Sequence, residues 1–340
     1  MGDRTSIEWT ATIQPDGSVT PGSSWTPIRA RNRETGLVGW FCIHASDGCT
    51  NCYAEAINRR LGSGVDYRAQ DRDKVEVYLG EKILAQPLRW KKPRKIFVCS
   101  MTDLFGEWVT DEMIDKIFAV MALCPQHTFI VLTKRSARMR KYFQEAHITA
   151  PDGLGWRWCM AVSALLGGER SGRIPFPLPN VWLLVSVEDQ RRADERIPDL
   201  LGTPAAVRGV SYEPAIEGID IQRYLRRMVV RPNEELTDRM VEEGWSFEGG
   251  DGDHPGLNWT ICGGESGAGA RPFNIEWARS VIAQCKAAAV PVFMKQVGAK
   301  PFIGRNGGTM HLLYNDRKGG DISEWPEDLR VREYPERGDG

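Results

Sequence analysis

Residues 95–135 read "KIFVCSMTDLFGEWVTDEMIDKIFAVMALCPQHTFIVLTKR". The stretch opens and closes on nearly continuous apolar runs, "KIFVCS" (95–100) and "TFIVLTK" (128–134). Such runs suit strands covered on both faces. Between them, "TDEMIDKIFAVMALCP" puts Ile114, Ile117, Phe118 and Met121 on one helical face. Thr110 is placed to cap that helix, Asp111 and Glu112 suit its positive end, and Pro125 stops it. Strand, helix, strand predicts a βα unit in a parallel sheet.

The pattern continues along the chain. Further strands are expected at "VWLLVSV" (181–187), "AVRGVSY" (206–212), "WTICGG" (259–264) and "PVFMKQV" (291–297), with "GWFCI" (39–43) as the first of the series. "NIEWARSVIAQCKAAAV" predicts a second helix, capped by Asn274, with Ala278, Val281, Ile282 and Cys285 as its buried stripe. The fold class expected is α/β, a complete or partial (β/α) TIM-like barrel with parallel strands. A doubly wound open sheet is the alternative. One barrel domain is expected over 1–302, with surface insertions near 11–38, 150–178 and 231–257. The last of these is acidic and lacks a strand-like run. A polar arm follows over 303–340.

The 340 residues carry a net charge of −1, and the pI is near 6.6. That balance argues against a chain built to coat nucleic acid, while leaving room for a local basic patch such as "LTKRSARMRK" (132–141). A second basic run, "RWKKPRK" (89–95), precedes a strand and so belongs to the opposite rim, where it serves solubility. No apolar run is long enough to span a bilayer, and the first residues show no secretory h-region. A cytoplasmic location without a membrane partner is expected.

Thiols in such a compartment stay reduced, so clustered cysteines point to metal. Three of the eight lie in "FCIHASDGCTNCYAE" (41–55), spaced as Cys42, six residues, Cys49, two residues, Cys52. Cys99, Cys124, Cys159, Cys262 and Cys285 are scattered and read as buried small hydrophobes. Three readings of the loop compete. Structural zinc needs a fourth ligand, and His44, two residues after Cys42, would strain the tetrahedron. A redox pair at Cys49 and Cys52 leaves Cys42 unexplained. A [4Fe–4S] cluster on three thiolates keeps one iron open for a small molecule.

In (β/α) barrels the chemistry sits at the C-terminal strand ends. Here those ends carry Ser100 and Asp103, Lys134, Ser186 and Glu188, Glu213, Glu265 and Ser266, and Lys295 and Gln296. Carboxylates and lysines so placed can hold a zwitterionic ligand or move protons. Gly263 and Gly264 in "CGGESGAGARP" allow close approach of backbone to a ligand, and the helix that follows could face an anion. P-loop, H-E-x-x-H and G-x-S-x-G motifs are absent.

The three-cysteine loop resembles that of radical S-adenosylmethionine enzymes, although their usual first gap is three residues rather than six. The wider chain resembles the phage Gp37/Gp68-like family. The resemblance rests on "SIEWT" (6–10), "GCTNCYAE" (48–55), "SMTDLF" (100–105), "FIVLTKR" (129–135), "VSVEDQRRADERIP" (185–198), "GGESGAGARP" (263–272) and "FMKQVG" (293–298). It covers nearly the whole sequence, departing at 11–38, and its members share the six-residue gap.

The resemblance implies a cluster on Cys42, Cys49 and Cys52, with S-adenosylmethionine on the open iron. Ser100, Asp103, Ser186, Gly263, Gly264, Ser266, Arg271 and Gln296 are then assigned to binding it. Ser100 and Asp103 are matched to its amino group. Asp103, Lys134, Glu188, Glu213, Glu265 and Lys295 are assigned to catalysis and substrate. The partners implied are an electron donor of flavodoxin or ferredoxin type, a nucleobase, nucleotide or nucleic-acid substrate, and a three-Cys-motif partner protein. Two rival classes stand beside this one: a zinc-stabilised, non-redox barrel that binds nucleic acid or protein, and a hydrolase working from the carboxylate-rich rim.

Overall fold

The computed structural model describes residues 4–13, 19–149, 154–168, 174–225, 228–230, 245–247, 256–267, 269–305 and 308–335. Its centre is a seven-stranded sheet: β1 (Ser23–Trp25), β2 (Lys95–Val98), β3 (Thr128–Thr133), β4 (Val181–Ser186), β5 (Val207–Tyr212), β6 (Trp259–Gly263) and β7 (Val292–Gln296). The strands lie side by side in chain order, and the sheet is parallel. Ile96 pairs with Phe129, and Phe129 with Val181. An order that never reverses has no switch point, which excludes the doubly wound alternative. Every residue of β4, β5 and β6 is buried, as sheets covered on both faces require.

The expected helices form. The first, α2 in chain order after α1 (Tyr53–Leu61), is Asp111–Ala122, with Thr110 accepting from the Met113 N–H at 3.3 Å. Next come α3 (Ser136–Thr149), α4 (Leu154–Leu166) and α5 (Gln190–Leu201). Last is α6 (Ile275–Ala287), where Asn274 accepts from the Glu276 N–H. The stripes named for α2 and α6 are buried.

Four expectations need correction. "GWFCI" is not a sheet strand. Only Val38–Gly39 is extended, in a small antiparallel sheet with Ile28–Asn32 and Val75–Leu79. The first strand of the main sheet is instead "SSW", inside the 11–38 segment. It is too short to show an apolar run, although Trp25 is fully buried. The 150–178 segment is not a surface insertion throughout. Residues 150–153 and 169–173 lie outside the described residues, but α4 between them buries Trp158, whose ring stacks on Phe118 with centroids 4.8 Å apart. Trp245–Phe247, within 231–257, forms a short strand parallel to Met228–Val230. The rest of that segment lies outside the described residues up to Gly256. Of the scattered cysteines, four are buried and Cys159 is only half-buried.

The chain divides into two compact units. One runs through Val185 and includes Thr203–Ala206. The other comprises Ser186–Gly202 and the chain from Val207 onward. In the second, the C-terminal arm lies antiparallel along β7. The Met294 N–H donates to the Val331 carbonyl and the Glu333 N–H to that of Val292. The arm thereby pairs an otherwise open sheet edge. Trp325 anchors it, buried and donating Nε1–H to the Gly319 carbonyl at 3.0 Å.

Candidate metal centre

The three-cysteine loop belongs to the connection between β1 and β2, the first crossover of the sheet. Its stem is fixed by Asn58, fully buried on α1. The Asn58 side chain accepts from the Trp40 N–H at 2.9 Å and donates to the Val65 carbonyl at 2.9 Å. Gly39 is required here, because a Cβ would lie 2.1 Å from the Ser63 nitrogen.

The far side of the loop is held by the C-terminal ends of β2 and β3. The chain leaves β2 through Cys99, whose φ of 57° is rare outside glycine and turns the backbone sharply. That turn brings residues 100–102 under the loop. Tyr53 and Tyr67 donate their hydroxyls to the carbonyls of Ser100 (2.7 Å) and Met101 (2.9 Å). Thr102 Oγ1 donates to the Phe41 carbonyl. Ser100 is itself hydrogen-bonded to Ser24 on β1.

Arg135 completes the clamp. Its side chain is 9% exposed, lies over the Trp108 ring, donates to the Ile43 carbonyl at 2.8 Å and pairs with Asp103 at 3.3 Å and Glu107 at 3.0 Å. Asp103 is saturated. It accepts from Thr133 Oγ1, from the N–H groups of Phe105 and Lys134, and from Arg135. Arg138 is likewise spent on the carbonyls of Gly106 and Val109 and on Asp111. Two members of the basic run "LTKRSARMRK" therefore bind the protein's own chain.

Cys42, Cys49 and Cys52 are free and half-buried, and Cys42 and Cys52 pack against Trp40, Ala54, Tyr67 and Met101. Burial pushes the Cys42 thiol far above its ordinary range. The Arg135 guanidinium opposes that shift, while Asp103, Cys52 and Cys49 add to it. Cys52, at the N-terminus of α1, is pushed up by burial and pulled back by the N–H groups of Glu55 and Ala54. Cys42 thus faces a buried cation and Cys52 a helix N-terminus, and both of these favour anionic sulfur.

His44 is not part of this thiol set. Its Nε2 lies 3.2 Å from Glu55, which also accepts from the Tyr67 N–H and Arg59. Among the described residues, no group of three or more His, Cys, Asp or Glu side chains is gathered as one metal ion would require. One zinc ion needs every thiolate about 2.3 Å from a common point. A four-iron cluster spreads three thiolates over three irons. The loop offers three thiols, a buried arginine acting on Cys42, and Ser46 Oγ, buried with no hydrogen-bond partner.

The second unit carries most of the remaining residues singled out by sequence, and the charged ones are already partnered. Glu213 pairs with Lys295 and Glu265 with Arg271. Glu188, fully buried, pairs with Arg196 at 3.1 Å, and Arg196 also donates to the Ser186 carbonyl. Gln296 donates to the Gly264 carbonyl at 2.8 Å. Gly264 is required by packing, since a Cβ there would lie 2.8 Å from the Val297 carbonyl oxygen and 2.9 Å from Phe273. The close approach that glycine permits is taken up by the chain itself. Ser266 is exposed beside these groups. The N-terminus of α6 is closed by Asn274 and has Glu276 in its first turn, so it is not open to an anion.

Sequence reasoning found the thiols but missed their supports. Tyr67 and Ser46 carry no motif signal, and Glu55 and Thr102 lie in the quoted stretches "GCTNCYAE" and "SMTDLF" without a supporting role assigned to them. Arg135 was visible only as one of several cations.

Sheet and site together define an α/β protein with a sequentially wound parallel sheet and a three-thiol loop in its first crossover. Residues 34–312 match the model of a family described as a protein of unknown function (DUF5131), and the chain belongs to that family. No curated protein and no solved structure matches it. No helix among the described residues is long and apolar enough to cross a membrane.

Proposed function

We propose that this protein is a radical S-adenosylmethionine enzyme on a partial (β/α) barrel, related to the phage Gp37/Gp68-like proteins. The observation that carries the reading is three half-buried thiols on one loop, with Arg135 acting on Cys42 and the first N–H groups of α1 on Cys52. Cys42, Cys49 and Cys52 would hold the [4Fe–4S] cluster. When bound, cluster and S-adenosylmethionine supply one-electron cleavage of the sulfonium, giving methionine and a 5′-deoxyadenosyl radical that abstracts hydrogen from substrate.

The chain's own residues have distinct tasks. Arg135 offsets anionic charge at Cys42 and ties the loop to the end of β3. Tyr67, Thr102 and the His44–Glu55 pair fix the shape of the loop. Asp103 orients Arg135 rather than offering a free carboxylate. In the second unit, the Glu213–Lys295 and Glu265–Arg271 pairs are the groups proposed for ligand and proton handling, each by exchanging its partner. An electron donor of flavodoxin or ferredoxin type and a nucleobase or nucleotide substrate remain part of the proposal.

Anaerobic reconstitution with iron and sulfide tests it. About four irons per chain, with 5′-deoxyadenosine released on reduction with S-adenosylmethionine, is the expected result. Stoichiometric zinc without iron would favour the structural-metal rival. Activity that survives Cys42→Ala would favour the hydrolase.

A further inference from the structure

Two shielded donors, Trp40 Nε1 in the cluster that Cys42 joins and Ser46 Oγ in the thiol loop, have nothing to donate to. Trp40 is 7% exposed, and its Nε1–H has no hydrogen-bond partner. A buried indole normally finds one. Its backbone is pinned by Asn58, the Arg29 guanidinium lies 4.4 Å from its ring centroid, and it packs in the cluster that Cys42 and Cys52 join. Ser46 stands at the N-cap of the short turn Asp47–Cys49, where a serine hydroxyl ordinarily accepts from the helix. It makes no such bond, and its Oγ is shielded from solvent. Buried polar groups are normally hydrogen-bonded. Two such groups beside three thiols are readily explained if the partner is the group those thiols bind.

We infer that Trp40 Nε1–H and Ser46 Oγ–H donate to the sulfur atoms of the anionic centre held by Cys42, Cys49 and Cys52, and so set its reduction potential. This rests on the iron–sulfur reading above and deepens it. Sulfur carries more negative charge in the reduced centre, so each donor stabilises the reduced form and raises the potential. Both are positioning residues, and neither binds iron.

The test uses the full chain, reconstituted anaerobically with iron and sulfide. Trp40→Phe keeps most of the packing and removes the N–H; Ser46→Ala removes only the hydroxyl; Ser46→Thr restores it. Each loss should leave iron and sulfide content at the wild-type level and move the midpoint potential to a more negative value. The double variant should move furthest, and Ser46→Thr should return toward wild type. Deuterium exchange should shift the iron–sulfur stretching bands of the wild type more than those of the double variant. A loaded wild type whose variants share its potential and its deuterium shifts would overturn this assignment alone. A wild-type chain that takes up no iron would overturn the reading beneath it and the assignment with it.

Discussion

The loop around Cys42 and the polar strand ends of the second unit are both rich in chemistry-bearing residues, yet they differ in how far those residues are satisfied. In the second unit each carboxylate has its cation: Glu213 with Lys295, Glu265 with Arg271, Glu188 with Arg196. Around Cys42 the supports are saturated, Asp103 above all, while the thiols, Trp40 Nε1 and Ser46 Oγ are left open. A polar group that has found its partner within the chain must give that partner up before it can serve a ligand. One that is buried and unpartnered, as Arg196 Nε also is in the second unit, calls for an explanation.

The sharpest way to break this contrast is to remove a thiol from each class. Cys42→Ala should abolish iron uptake, whereas Cys262→Ala, which removes a fully buried strand thiol, should leave the metal content of the reconstituted protein unchanged. Equal losses in both would erase the distinction. Arg135→Met comes next. It leaves Asp103 without its cation and frees the Ile43 carbonyl, and breaking a buried pair of this kind costs about 3 kcal/mol. Urea unfolding of the metal-free chain should show the lowered midpoint.

Glu265→Gln should cost less, about 1 kcal/mol, because Arg271 keeps 27% exposure and regains water. Its iron content should match wild type. A further effect lies at alkaline pH. Burial pushes Cys124 and Cys285 from near 9 up to about 11. The folded state therefore keeps these protons after the unfolded state has released them. The stability they contribute is intact below pH 9 and lost as pH rises toward 11. Cys285→Ala should flatten part of that decline in a pH series of unfolding midpoints.

Six of the seven sheet strands were legible because each is buried on both faces and so reads as an apolar run. β1 was not, because three residues at a sheet edge give no periodicity. The helix holding Trp158 was hidden by Gly- and Pro-rich flanks. At the site, spacing revealed the thiols, but nothing local separates Arg135 from a solvated cation. Its burial depends on Asp103, 32 residues earlier, reached only through the pairing of β2 with β3. The same holds for the second unit, where sequence displayed Glu213, Glu265, Lys295 and Arg271 but neither their pairing nor Arg196 against Glu188.

The central claim is most directly tested by the metal and acid-labile sulfide content of the full chain purified and reconstituted without oxygen, beside the variant in which Cys42, Cys49 and Cys52 are all alanine. The account predicts about four irons with matching sulfide in the wild type and neither in the variant. Stoichiometric zinc without iron, or iron and sulfide that persist when the three cysteines are gone, would contradict it.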